Sequence, residues 1–213
     1  MSAQLNGKRV AFLVTDGFEQ VELTGPREAL ENSGAVVDIL GEKEGKVRGW
    51  NHDKPADEFE VDASFEDAHL DLYDALVLPG GVQNSDTIRL NTGAQKLVKS
   101  HDAAGKPLAV ICHGAWLLVS SGLVKGKRMT SYKTLQDDIR NAGGLWVDEQ
   151  VVVDGNLITS RQPPAGRYSG LQRAVDQGAG RLSSALLRRA LRSCFRASRG
   201  RVSRQLDINR VGA

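Results

Sequence analysis

Leu108-Ala109-Val110-Ile111-Cys112-His113-Gly114-Ala115-Trp116-Leu117-Leu118 is the stretch from which the fold is read. A short unbroken apolar run, Leu108 to Ile111, reads as a strand buried on both faces. It is closed by Cys112-His113-Gly114, and a helix begins at Ala115 and runs to Ser121. Outward from this unit the same alternation recurs. Arg9 to Val14, Val36 to Leu40 and Ala75 to Leu78 are further apolar runs. Leu23 to Leu30, stopped by Gly34, and Thr92 to Ala104, stopped by Gly105-Lys106-Pro107, carry helical spacing, as does Leu135 to Ala142 before Gly143-Gly144. Val151 to Val153 and Leu157 to Ser160 flank Asp154-Gly155, a hairpin signal. Strand–helix alternation predicts an α/β fold: a mostly parallel sheet with helices on both faces.

In such sheets ligands sit beyond the carboxyl ends of the strands. That singles out Thr15 to Glu19, Pro79-Gly80-Gly81 and Cys112-His113-Gly114. A Cys between a buried strand and a helix start occupies a sharp turn like the nucleophile elbow of hydrolases. The helix start would favour the thiolate; a buried, inert apolar Cys fits the position equally. Glu19 lies in the loop after the first strand. Beside a thiolate its carboxyl would stay protonated and shuttle a proton; otherwise it is a loop acid, and Glu22 serves the start of the next helix. Gly80 and Gly81 let backbone N–H groups approach a ligand, and the Gly81 and His113 N–H groups could form an oxyanion hole; an ordinary turn is the other reading. His113 is a base for Cys112 only if its ring folds back.

Composition bounds the rest. The chain has 213 residues, 40% hydrophobic and 25% charged, which fits one globular domain plus an appendage. Two cysteines, Cys112 and Cys194, exclude a disulfide framework, and a polar N-terminus without a signal-peptide core points to the cytoplasm. The longest clean apolar run, Val10 to Val14, is too short to span a bilayer, so no membrane partner is expected. His52, His69 and His101 lack ligand spacing, and no nucleotide-binding glycine motif is present, so neither a metal nor another cofactor is expected.

Taken together, Asp16-Gly17-Phe18-Glu19-Gln20-Val21-Glu22-Leu23, Leu78-Pro79-Gly80-Gly81, Ile111-Cys112-His113-Gly114 and Thr130-Ser131-Tyr132 strongly resemble the PfpI family. These intracellular-protease-like proteins fall in the class I glutamine amidotransferase-like superfamily and are related to the parkinsonism-associated deglycase. Gly49-Trp50-Asn51-His52 and Trp146-Val147-Asp148 look closest to the general-stress branch. The resemblance covers residues 8–163. It implies a flavodoxin-like three-layer sandwich and a homo-oligomer, a dimer or hexamer. It implies Cys112 as nucleophile, Glu19 as its protonated partner, His113 as the neighbouring imidazole and Tyr132 as a site tyrosine. Asp86 stands near a third acid that the protease-type proposal draws from an adjacent subunit, in a loop one residue longer here. The implied function is stress-response chemistry on small carbonyls or glycated proteins, of glyoxalase or deglycase type. A cysteine peptidase at an oligomer interface and a non-catalytic redox sensor or chaperone are the alternatives.

The last 50 residues read differently. Residues 1–163 carry 17 Lys+Arg and 24 Asp+Glu, whereas 164–213 carry 11 Arg and 2 Asp. After Arg161-Gln162-Pro163 the family continues Asp-Asp-Ile or Asp-Asp-Leu, then Pro and Phe. This chain has Pro164 to Gln172, which a one-base shift of reading frame converts into the family pattern for a suitable choice of codons. Residues 164–213 are therefore expected to be a frameshift-like segment, with a functional basic tail for nucleic acid or an anionic surface as the rival.

Overall fold

A computed structural model describes residues 5–161. The Arg-rich segment, its frame and Cys194 lie outside the described residues.

The chain runs through β1 (Arg9–Leu13), β2 (Phe18–Glu19), α1 (Gln20–Glu31), β3 (Val36–Gly41), β4 (Gly45–Asn51), β5 (Lys54–Val61), β6 (Ala63–Ser64) and β7 (Ala75–Leu78). It continues through α2 (Val82–Ile88), α3 (Thr92–Ala103), β8 (Leu108–Ile111), α4 (Ala115–Ser120), β9 (Arg128–Met129), α5 (Gln136–Asn141), β10 (Leu145–Trp146), β11 (Val151–Asp154) and β12 (Leu157–Ser160). Seven strands form the central sheet in the order β11-β12-β8-β7-β1-β3-β6. Every pairing in it is parallel except β11 with β12, where the Asp154-Gly155 turn makes the expected hairpin.

The period-2 pleat explains the three layers. Val10 and Phe12 of β1 pack in one cluster with Leu23 and Leu30 of α1. Ala11 and Leu13 pack in the other with Leu97 and Val98 of α3 and Leu117 and Leu118 of α4. A twelve-residue helix is marginal alone. Burying Leu23 and Leu30 completely, each about 1.5–3 kcal/mol, is what holds α1 on the sheet. At α3 the Asn91 side chain accepts the Ala94 N–H at 2.9 Å, a side-chain N-cap.

Three features depart from the expectation. First, β4 and β5 form an antiparallel hairpin, joined by β2 into a second, three-stranded sheet. One face packs on the core through Val47, with its cross-strand partner Phe59 and Val61 partly buried; on the other face Lys46 and Arg48 meet Glu58 and Glu60 across the pair. Second, Val82–Ile88, read as loop, is helical. Third, α1 starts at Gln20 rather than Leu23, which moves Glu22 from a helix entrance into the first turn. His101 of α3 is buried with neither ring nitrogen hydrogen-bonded. Burial, and after it the Lys106 charge, lowers its pKa to about 4, so it packs as a neutral ring.

Candidate active site

Strand β8 delivers Cys112 into a left-handed backbone conformation, φ +57°, before a tight turn enters α4. A side chain there costs about 1–2 kcal/mol, a strain tolerated where the surroundings over-determine it. Gly80, at the end of β7, makes the close approach possible. A Cβ on it would lie 2.8 Å from the Cys112 Cβ, from Glu22 Oε2 and from the His113 nitrogen. The three post-strand segments singled out by sequence do converge. The Thr15 N–H donates to Asn84 Oδ1 at 2.7 Å, and the Asn84 amide donates to the Pro79 and Gly80 carbonyls at 3.2 and 3.0 Å. Asn84, fully buried, was not recognised from sequence; nothing in Gln83-Asn84-Ser85 marks it as a clasp between loops.

The carboxyl beside the sulfur is Glu22, not Glu19. Glu22 is 2% exposed, accepts the Gly80 N–H at 2.6 Å and is hydrogen-bonded to Cys112. The reason is helical: beginning α1 at Gln20 turns the residue at position 22 inward beneath the elbow. Burial raises the Glu22 pKa to about 8, against the opposing pull of the Gly80 N–H. Glu19 instead accepts the His52 N–H at 3.1 Å, with its other oxygen 3.8 Å from His52 Nδ1. Its sequence-derived role as the proton partner of Cys112 is thereby corrected.

Burial, then the Glu22 charge, pushes the Cys112 thiol well up, while the His113 and Gly81 N–H groups pull it down. The thiolate-favouring effect expected of the helix start is outweighed. Two anions cannot share this buried space, so the first proton lost leaves one negative charge divided between carboxyl and sulfur. Because Gly81 and His113 both offer N–H groups at the sulfur, a carbonyl oxygen bonded beside it would meet the same donors.

The His113 ring does fold back: Nδ1 lies 3.3 Å from Cys112 Sγ. Burial lowers its pKa, so the ring is neutral at pH 7. Tyr132 stacks on it at 4.5 Å, and its N–H donates to the Cys112 carbonyl at 3.1 Å. Trp116 meets it edge-on at 5.5 Å and donates its indole N–H to Asp138 at 2.8 Å. Asp86, on α2, is exposed and lines the same cavity as Cys112. That cavity, about 840 Å³, also takes in Glu19, Trp50, His52 and Asp53. Among the described residues no group of three or more His, Cys, Asp or Glu is arranged to hold a metal ion, and no helix is long and apolar enough to cross a membrane.

Glu22→Gln should stabilise the fold at neutral pH. The native carboxyl keeps its proton up to about pH 8, whereas the unfolded one loses it near 4.5. Between those values the native state holds more protons, so stability falls as pH rises through the window. Removing the titration while keeping the Gly80 contact should gain about 1–3 kcal/mol at pH 7 and little at pH 4. Urea denaturation at both pH values measures it; an equal effect at both would contradict the raised pKa.

A parallel α/β sandwich carrying a strained cysteine elbow over a buried carboxyl defines the site class, and comparison with known proteins agrees. The DJ-1/PfpI family pattern matches residues 8–172. The Deglycase PfpI of Pyrococcus furiosus is 41% identical over 155 residues, 73% of this chain and 90% of that protein. YraA of Bacillus subtilis, whose name carries a cysteine-protease assignment, is 35% identical over 156 residues, with the same two coverages. The crystal structure of DJ-1beta from Drosophila melanogaster superposes with a TM-score of 0.68 at 28% identity, covering 86% of this chain and 97% of that one. The chain belongs to the DJ-1/PfpI family and has its flavodoxin-like fold.

Proposed function

We propose that this protein is a Cys112-dependent enzyme acting on small carbonyl compounds or their adducts with proteins, of glyoxalase or deglycase type. The observation that carries the reading is the fully buried Glu22 carboxyl hydrogen-bonded to the Cys112 thiol. With a 2-oxoaldehyde, Sγ bonds to the aldehyde carbon and the carbonyl π pair moves to oxygen. The Glu22 proton passes to that oxygen as the thiol proton passes to Glu22. Once Glu22 releases that proton to solvent, as its pKa of about 8 allows, its carboxylate takes the C1 proton and returns it to C2 while the C1 hydroxyl proton passes to the C2 oxygen, which leaves a 2-hydroxyacyl thioester. Water hydrolyses that thioester to the 2-hydroxy acid and restores the thiol. Homologues named as deglycases support the reading.

A second reading, cysteine peptidase, rests on His113 Nδ1 at 3.3 Å from Sγ, with YraA as the relative whose name favours it. We place the working form as a homo-oligomer in the cytoplasm: Val21 and Val82, exposed at the cavity mouth, suit contact with a second copy. Product analysis decides between the activities. Incubation with methylglyoxal, with methylglyoxal-modified N-acetylarginine and with a peptide library should give lactate or freed N-acetylarginine and no peptide cleavage. Cleaved peptides without lactate would replace this reading by the second.

A further inference from the structure

We infer that the cavity selects carbonyl substrates carrying a positive charge, an ammonium or guanidinium arm a few bonds from the reacting carbon, over neutral or anionic compounds of the same size. The inference rests on the carbonyl reading and names the substrate class of that same site.

Three observations carry it. The cavity, about 840 Å³, far exceeds a three-carbon aldehyde, so the space beyond the sulfur has room for a substituent. The charges lining that space are one-sided among the described residues: Glu19, Asp53 and Asp86 contribute carboxylates, and no described Lys or Arg lines it. Asp53 and Asp86 are exposed and form no salt bridge among the described residues, so no described cation neutralises them. The Glu19 carboxylate is positioned by the His52 N–H, and its other oxygen lies 3.8 Å from His52 Nδ1. Besides Val21 and Val82 at the mouth, the apolar lining is aromatic: Trp50, Trp116 and Tyr132. Aromatic faces beside carboxylates attract organic cations through the ring quadrupole and the net field together. One Trp116 face is engaged by the Arg89 guanidinium at 5.1 Å, a protein cation outside the lining that shows the ring accepting this partner. An anionic 2-oxo acid would meet three like charges on entry.

Choline and 3,3-dimethylbutan-1-ol have the same shape and differ in charge; neither bonds to sulfur. Titration calorimetry on the full chain at low ionic strength should show choline binding about tenfold tighter. High salt and the Asp53→Asn/Asp86→Asn double variant, both on exposed positions, should each shrink that ratio towards one. Equal binding, preference for the neutral alcohol, no binding by either, or a ratio untouched in the double variant would overturn the inference. The two readings fail separately. A lost charge preference with methylglyoxal turnover intact removes only the selectivity, whereas a preserved preference without methylglyoxal turnover removes the carbonyl chemistry.

Discussion

Cys112→Ala should lower methylglyoxal conversion by about 10³-fold or more, with circular dichroism and thermal unfolding close to wild type. The fold should survive because alanine keeps the β-carbon that the elbow already accommodates at φ +57° and removes only a sulfur. Activity should not survive, because neither Glu22 nor His113 can form the bond to carbon that the sulfur forms. Serine is a sharper control. It retains a hydrogen-bonding group between Glu22 and the Gly81 and His113 N–H groups, yet its hydroxyl is a far weaker nucleophile, so Cys112→Ser should be nearly as inactive. Conversion retained by both variants would exclude covalent catalysis at this position. Suppression of protein aggregation retained by both, in a wild type that converts no carbonyl substrate, would favour the chaperone alternative.

Gly81→Ala should cost about 2–4 kcal/mol of stability and most of the activity. Two penalties coincide there. Gly81 has φ +85°, where a side chain is strained. An added Cβ would also lie 2.4 Å from the Gly17 carbonyl oxygen and 2.7 Å from the Glu19 nitrogen, backbone atoms that cannot swing aside. Relief requires the loop after β1 to part from the turn after β7. Those segments hold the Glu19–His52 contact and the Gly81 N–H at the sulfur, so the site should open with the fold. A urea midpoint within error of wild type, with full turnover, would show that the loops do not meet as described.

The elbow was legible because its signals agree: four apolar residues, then Cys112-His113-Gly114, then helical spacing. The strand order of the sheet was not, since apolar runs fix which segments are buried but not their neighbours. The β4–β5 hairpin escaped because its inward apolar positions, Val47, Phe59 and Val61, are few and set among charged residues whose ion pairs, at Lys46, Arg48, Glu58 and Glu60, cover the other face, so the alternation is short and faint. The carboxyl partner was misassigned for a geometric reason. Glu19 and Glu22 are three residues apart, nearly one helical turn, and which one points inward depends on where the helix starts. Helix starts are uncertain by a residue or two, and here Glu19 at the N-cap position makes no side-chain cap to betray the boundary. Trp50, Trp116 and His52 were passed over as members of the site because only the fold brings them to the cavity.

The most direct test compares methylglyoxal turnover by Glu22→Gln and Glu19→Gln at pH 7. If the proton partner of Cys112 is the buried Glu22, Glu22→Gln should lose about 10²-fold or more in kcat, since an amide cannot carry the C1 proton. Glu19→Gln should keep kcat within a fewfold and change mainly KM. A collapse of kcat in Glu19→Gln with Glu22→Gln near wild type would contradict the account.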